Sequence, residues 1–530
     1  MLKALAATLA LCFTASLPAQ TAASATETRA SAAFDAARRA GPLALHAFLE
    51  KMPKGADLHM HLSGAVYAET FFADAVADNL CVDPVKRALV KPTDTGCPTG
   101  TVPAASAFKD QTLYDALVDA FSMRAFVPSS GISGHDQFFA TFGRFGGLKD
   151  HSGEWLDEVA TRAAAQNEQY LEVMMTPPFS HAAGLGHQIG WPVPTSPVSG
   201  ADTSAPAAPT GATRTELATL RDKLLAAGLR DEIAADRAEL DGALTTRNKI
   251  EHCGEPNAAP ACSVQIRIIY QILRQNLPQQ VFAQTLLGFE VAAADPNVVG
   301  LNFVQPEDAY LAMSEYHRQM LMLDYLHSVY PQVHISLHAG EVAPGMVPPP
   351  GLRFHIREAV DLGHAERIGH GVDVMYETDP QLLLKELADR HVMVEINLTS
   401  NDVILGIAAP NHPLPLYRAA HVPVALSTDD EGVSRIDLTH EYTRAALEYK
   451  LSYADLKQMA RTGVEHTFLP GPSLWQKQDD LTHVVAACAN QPLGAETPKP
   501  TCLSYLKDSP HAAQQWELEH RFRAFESSLP

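Results

Sequence analysis

Basic residues are scarce in this 530-residue chain: Lys and Arg total 40 against 61 Asp and Glu, a formal net charge of −21. That surplus repels polyanions, so nucleic-acid polymers are excluded as partners, while small neutral substrates are not. Long apolar runs are also lacking. The one candidate, Ala4 to Leu17, is too short for a comfortable membrane span. With Lys3 before it and Pro18-Ala19-Gln20-Thr21-Ala22-Ala23 after it, residues 1–23 read as a secretory signal peptide. The expectation is an exported protein, periplasmic or secreted, with no membrane attachment once the leader is removed. No Cys-x-x-Cys occurs, which excludes the usual thiol-rich metal and redox motifs. There is no Gly-x-Ser-x-Gly elbow, no phosphate-binding Gly-Lys loop and no internal repeat. His440-Glu441 resembles the start of a zinc-protease helix, but Arg444 stands where the second His is required. The His-x-Glu with Pro-Cys-x-x-Cys pattern of cytidine-type deaminases is absent as well.

Hydrophobic content of 46% with 19% charged residues describes an ordinary globular protein. Outside the leader the cysteines are Cys81, Cys97, Cys253, Cys262, Cys488 and Cys502, an even number. In an exported chain this invites disulfides, and proximity favours pairing 81 with 97, 253 with 262 and 488 with 502.

Eight apolar, β-branched-rich runs of strand length can be placed at 56–62, 169–175, 264–270, 298–304, 333–337, 367–369, 392–396 and 423–427. Helical patterns at 27–50, 111–128, 153–166 and 214–239, and then at 307–329, 354–362 and 380–390, fall around and between them. The alternation predicts a parallel sheet, and eight strands is the count of a closed (β/α)8 TIM barrel. A doubly wound sheet would carry a glycine-rich phosphate loop, but Gly184-Leu185-Gly186 continues to Gly190 one residue too late. We expect a barrel over 24–475, loop insertions at about 81–108 and 177–213, and a helical C-terminal extension at 476–530 packed on the barrel. The inserts serve as a lid, as an oligomer contact or as surface decoration; a homo-oligomer is left open.

Four short segments stand at or just beyond strand ends: His59-Met60-His61, His338-Ala339-Gly340-Glu341, Gly369-His370-Gly371 and Asp429-Asp430. Side chains i and i+2 of a strand share a face, so His59 and His61 can grip one ion together. His338 and Asp429 would complete a nitrogen and oxygen donor set that suits a catalytic zinc. Each motif has a bland alternative. Glu341 could simply sit at a helix N-terminus, His370 could be a turn histidine, and Ser427-Thr428-Asp429-Asp430 could be a cap. Two adjacent carboxylates after an apolar strand are costly, however, unless a cation or hydrogen-bond donors meet them.

In this order the four segments resemble the adenosine deaminase family of the metal-dependent amidohydrolases. Met52-Pro53-Lys54-Gly55 and Glu465-His466-Thr467-Phe468-Leu469-Pro470-Gly471 resemble its secreted, growth-factor-related branch. The resemblance runs from about residue 50 to 475. It implies one Zn2+ per chain on His59, His61, His338 and Asp429, and it implies Glu341 as proton donor to the purine ring. His370 would orient or deprotonate the attacking water, and Asp430 would bind that water or the purine N7. The implied reaction is deamination of adenosine or 2′-deoxyadenosine. The alternatives are another 6-aminopurine nucleoside or nucleotide, or an exported binding protein that keeps the metal site. Two positions depart from the family pattern: Ser63 stands where an Asp often contacts the ribose, and Gln305 stands where a Gly usually offers its N–H to the purine. Both remain candidate substrate contacts, and Glu307 is a further polar contact or a surface acid. A binuclear hydrolase of the same superfamily would need a bridging Lys after 298–304, and none is there.

Overall fold

The computed structural model describes residues 24–129, 131–192 and 212–530. The leader expected at 1–23 and most of the second insert, 193–211, lie outside the described residues.

Eight strands form one sheet: β1 (Gly55–His61), β2 (Glu168–Met175), β3 (Gln265–Leu273), β4 (Val298–Val304), β5 (His334–Ala339), β6 (Arg367–His370), β7 (Met393–Ile396) and β8 (Val424–Leu426). They pair in chain order, every neighbour parallel. The edge strands meet as well. The Asp429 N–H donates to His59 O at 2.8 Å and the His61 N–H to Asp429 O at 3.4 Å, bringing β8 against β1. The sheet is thus a (β/α)8 barrel, as the strand count predicts. Every residue of β2 and β4 is buried, which is why β4 reads as a nearly continuous apolar run rather than an alternating one.

Helices Pro278–Ala294, Tyr310–Val329, His355–Asp361 and Pro380–Asp389 follow β3, β4, β5 and β6 in turn. Several features differ from the sequence reading: the helix expected over 27–50 breaks at Gly41, that over 214–239 is interrupted after Ala226, and the insert at 81–108, expected as a loop, holds a small sheet. The helix expected over 111–128 stops at Ala120, and a separate helix, Gly134–Phe142, opens on a capping box between Ser133 and Asp136. The stretch expected as a loop from 177 contains the helix Ser180–Ile189. Its glycines disguised it: Gly186 lies so close to helix Pro278–Ala294 that a Cβ would fall 2.4 Å from Gln279 O. The tail, expected as helices, begins with a two-stranded hairpin, Trp475–Lys477 with Asp480–Val484. Helices Pro500–Asp508 and Pro510–Ser528 then pack back on the domain, where Arg461 pairs with Glu519 at 2.8 Å and Lys457 with Glu526 at 2.6 Å.

Residues 81–83, 88–90 and 102–103 form a small antiparallel sheet beside the barrel, over a separate apolar cluster that includes Phe71, Phe72, Phe121 and Phe145. Three disulfides, Cys81–Cys97, Cys253–Cys262 and Cys488–Cys502, join the pairs that proximity favoured.

Candidate metal centre and active site

His59, His61, His338 and Asp429 converge from β1, β5 and the end of β8, all four donor atoms lying within 4.8 Å of one another. His338 Nε2 is 3.2 Å from both His59 Nε2 and His61 Nε2. Asp429 Oδ1 is 3.5 Å from His59 Nε2 and 3.3 Å from His61 Nε2. A tetrahedral zinc with bonds of about 2.0–2.1 Å needs donor–donor edges of roughly 3.3–3.4 Å. The donor set and its spacing therefore fit one such ion.

The far nitrogen of each ring is held by a different strand. His59 Nδ1 is 2.6 Å from Glu395 Oε2 on β7, and His338 Nδ1 is 2.8 Å from Asn302 Oδ1 on β4. His61 Nδ1 is 3.0 Å from the Gln271 amide on β3. At His59 and His338 an acceptor oxygen takes the Nδ1 proton and leaves Nε2 to bind metal, and the ring cannot swing; at His61 the Gln271 amide must turn its oxygen to Nδ1 to do the same. Glu395 is in turn pinned by Arg367 Nε at 2.6 Å, and Arg367 reaches Glu172 at 2.6 Å on its other side. This buried ion chain crosses the barrel interior. Gly369 makes room for it: a Cβ there would sit 2.5 Å from His59 Cε1. Burial, reinforced by the neighbouring imidazoles, keeps His338 well below the usual histidine range and so neutral, as a ligand must be.

The other residues singled out in the sequence, Glu341, His370 and Asp430, lie in the same place. Burial, together with the charges of Asp429 and Glu307, holds the Glu341 carboxyl well above its ordinary range. The Glu307 carboxylate accepts the N–H groups of Gly340 at 3.0 Å and Glu341 at 2.8 Å, which fixes the turn that presents Glu341. Glu307 is thus a buried backbone anchor, neither a surface acid nor a lining residue of the cavity. Burial, against the pull of Asp429, lowers His370 to about 3. His370 Nε2 and Asp430 Oδ1 are buried without a partner among the described residues. His370, Asp429 and Gln305 all have positive φ, at 71°, 59° and 89°, so backbone strain gathers at the site.

A cavity of about 420 Å³ opens over these groups, within the usual range for a small-molecule site. Ser63, Gln305, Glu341 and Asp430 line it with the candidate ligands His61, His338 and Asp429, whereas His370 lies beneath the surface. Gln305 is anchored from behind: its carbonyl accepts from Arg274 at 2.9 and 2.7 Å, and its side-chain oxygen accepts the Gln275 N–H at 2.9 Å. Phe138, Phe139 and Phe142 of helix Gly134–Phe142 supply aromatic surface. No Lys or Arg lines the cavity among the described residues.

Sequence reasoning missed Glu395, Asn302, Gln271, Arg367 and the aromatic helix. A signal for the strand residues existed. Glu172, Asn302 and Glu395 each interrupt a wholly buried apolar strand, and a buried polar group is costly unless it is paired. The sequence does not say with what.

A sequence profile of the family described as adenosine deaminase matches residues 246–483. That span holds His338, Glu341, His370, Asp429 and Asp430, and it leaves out His59 and His61. The adenosine deaminase of Escherichia coli (strain SMS-3-5 / SECEC) is 38% identical over 139 residues, which is 26% of this chain and 38% of the relative. The match therefore spans under half of the curated relative's length. Among solved structures, an adenine deaminase from Arthrobacter aurescens aligns with a TM-score of 0.50 at 16% identity, over 79% of this chain and 94% of that one. The Arabidopsis N6-mAMP deaminase aligns with a TM-score of 0.51 at 20% identity, over 80% and 96%. At such identities the likeness is one of fold.

Proposed function

We infer that the chain belongs to the adenosine deaminase family, and from that premise we propose that it deaminates adenosine or 2′-deoxyadenosine hydrolytically, in a zinc-dependent reaction that gives inosine or deoxyinosine and ammonia. The observation that carries this reading is the placement of a buried, proton-holding Glu341 in one cavity with a four-donor cluster of zinc spacing.

His59, His61, His338 and Asp429 would hold the ion. When bound, zinc acts as a Lewis acid that lowers the pKa of a water from about 15.7 towards about 7, giving a nucleophile at neutral pH. The purine presents C6 to that water. Bonding at C6 breaks the ring's aromaticity unless N1 gains a proton, and Glu341, kept protonated by burial, gives it. The C6–N6 bond then breaks. Of the two hydrogens of the water, one leaves with the amino group as ammonia and the other replaces the proton that Glu341 delivered; the water oxygen remains as the 6-oxo group. Asp430, buried with an unpartnered oxygen, holds the water or the purine N7, and His370 orients the water. Ser63 and Gln305 are the proposed contacts to the sugar and base.

A cavity wall without cations favours a nucleoside over a nucleotide, because a phosphate would be left unpaired. The test is ammonia release from adenosine, 2′-deoxyadenosine, adenine, AMP and N6-methyl-AMP. The two nucleosides should lead by at least about tenfold. Turnover of AMP or N6-methyl-AMP alone would overturn the substrate, and no release from any of them would overturn the activity.

We also infer that the protein works outside the cytosol, since three disulfides need an oxidising compartment. Protein recovered from the periplasm or medium should lack the leader and free thiols; a full-length, reduced chain confined to the cytosol would contradict this.

A further inference from the structure

His412 and Asn401 have no part in the reaction as drawn above, yet both are buried beside it and joined in a chain whose polarity can be worked out one link at a time. The backbone N–H of Leu414 lies 3.1 Å from His412 Nδ1. A peptide N–H only donates, so His412 Nδ1 is bare. Burial holds this ring neutral, near 3, so its one proton is on Nε2. That Nε2 is 3.0 Å from Asn401 Oδ1 and donates to it. The orientation of the Asn401 amide is thereby fixed, and its NH2 turns to His370 Nδ1 at 2.8 Å. The Asn397 amide nitrogen stands on the same atom at 3.4 Å. An amide NH2 cannot accept, so His370 Nδ1 is bare too. Glu341 Oε1, 3.6 Å from Nδ1, is beyond hydrogen-bond reach. The single proton of a neutral His370 is left on Nε2, the buried atom that has no protein partner among the described residues and belongs to a ring packed on His59 and His338 at centroid distances of 4.9 and 5.2 Å.

From this chain we propose that His412 and Asn401 are positioning residues that set the tautomer of His370, so that His370 meets the attacking water and the oxygen developing on C6 as an Nε2–H donor and not as the base. The proposal rests on the deaminase reading for its consequence, but the tautomer itself does not. Of the two roles that the family resemblance allows His370, orienting the water or deprotonating it, the chain permits the first.

Asn401→Asp separates the two. A carboxylate only accepts, so it draws the proton of His370 to Nδ1 and leaves Nε2 bare. If His370 is a donor, Asn401→Asp loses about 10²-fold in kcat, the scale of one positioned proton-handling group, with KM within about threefold. If His370 is the base, the same change leaves kcat equal or higher. At His412, Gln can offer its oxygen to the Leu414 N–H and its nitrogen to Asn401, whereas Phe can do neither. His412→Gln should therefore stay at least about tenfold above His412→Phe in kcat, each with its zinc content measured.

The direct readout is ring 15N NMR of histidine-labelled protein, metal-stripped and zinc-loaded, with the His370 signals identified by their loss in His370→Gln. The expected spectrum has a protonated Nε2 and a bare Nδ1 in the wild type, and the reverse in Asn401→Asp. A wild-type proton on Nδ1, or undiminished kcat in Asn401→Asp, overturns the proposal. If a variant fails to fold, the wild-type spectrum still decides. Absence of ammonia release by the wild type would sink the deaminase reading while leaving the tautomer result standing.

Discussion

On one side of the cavity, each metal-facing imidazole is gripped at its far nitrogen by a side chain from another barrel strand: Glu395, Gln271 or Asn302. On another side, helix Gly134–Phe142 contributes Phe138, Phe139 and Phe142, seated on Ile404 and Val433 and tied to the loop after β4 by one hydrogen bond, His135 to Asp308 at 3.1 Å. The first surface is a buried polar network, in which removing any member strands its partner. The second is apolar packing on an element inserted between β1 and β2, where a change of side chain costs contact area and little else. On the proposed function, the contrast would leave the chemistry to the barrel and add apolar contact to the substrate from the insertion.

Substitutions can break that contrast or sharpen it. Glu341→Gln keeps shape and metal but cannot supply the proton, so kcat should fall by about 10²–10⁴-fold with zinc content unchanged; near-wild-type turnover would remove Glu341 from its role. Arg367→Met takes from the buried Glu172 and Glu395 the guanidinium they share, and should cost about 3–5 kcal/mol in denaturant unfolding of the metal-stripped protein. A change within experimental error would mean that the ion chain does not hold the barrel interior. Glu395→Gln should weaken zinc binding by about 10–100-fold through His59, read by competition with a chelator; unchanged affinity would show that the strand-to-strand grip is decorative. Phe139→Ala should raise KM by about 2–10-fold, the worth of one aromatic contact, and leave kcat alone. A loss of kcat to match Glu341→Gln would mean that the two surfaces are not separate in function.

Much of this was legible beforehand, for identifiable reasons. Parallel strands buried on both faces leave largely apolar runs, so all eight could be placed within a few residues. Glycines and histidines at their C-terminal ends marked the mouth. Distance in the chain hid the rest. Glu395 and Arg367 are visible as charges inside apolar strands, but only the barrel's closure makes them partners of His59 and Glu172. Glu307 looked like a surface acid or a substrate contact because a lone carboxylate after a strand gives no sign that backbone N–H groups will turn towards it. Helix Ser180–Ile189 escaped because the glycines that let it pack closely are also the residues that usually end helices.

The most direct test is a zinc titration of the metal-stripped chain, with bound metal and ammonia release from adenosine followed together. Both should rise in step and saturate at one zinc per chain, and alanine at His59, His61, His338 or Asp429 should abolish both. Full activity in the stripped protein, or saturation at a different stoichiometry, would contradict a single catalytic ion held by those four side chains.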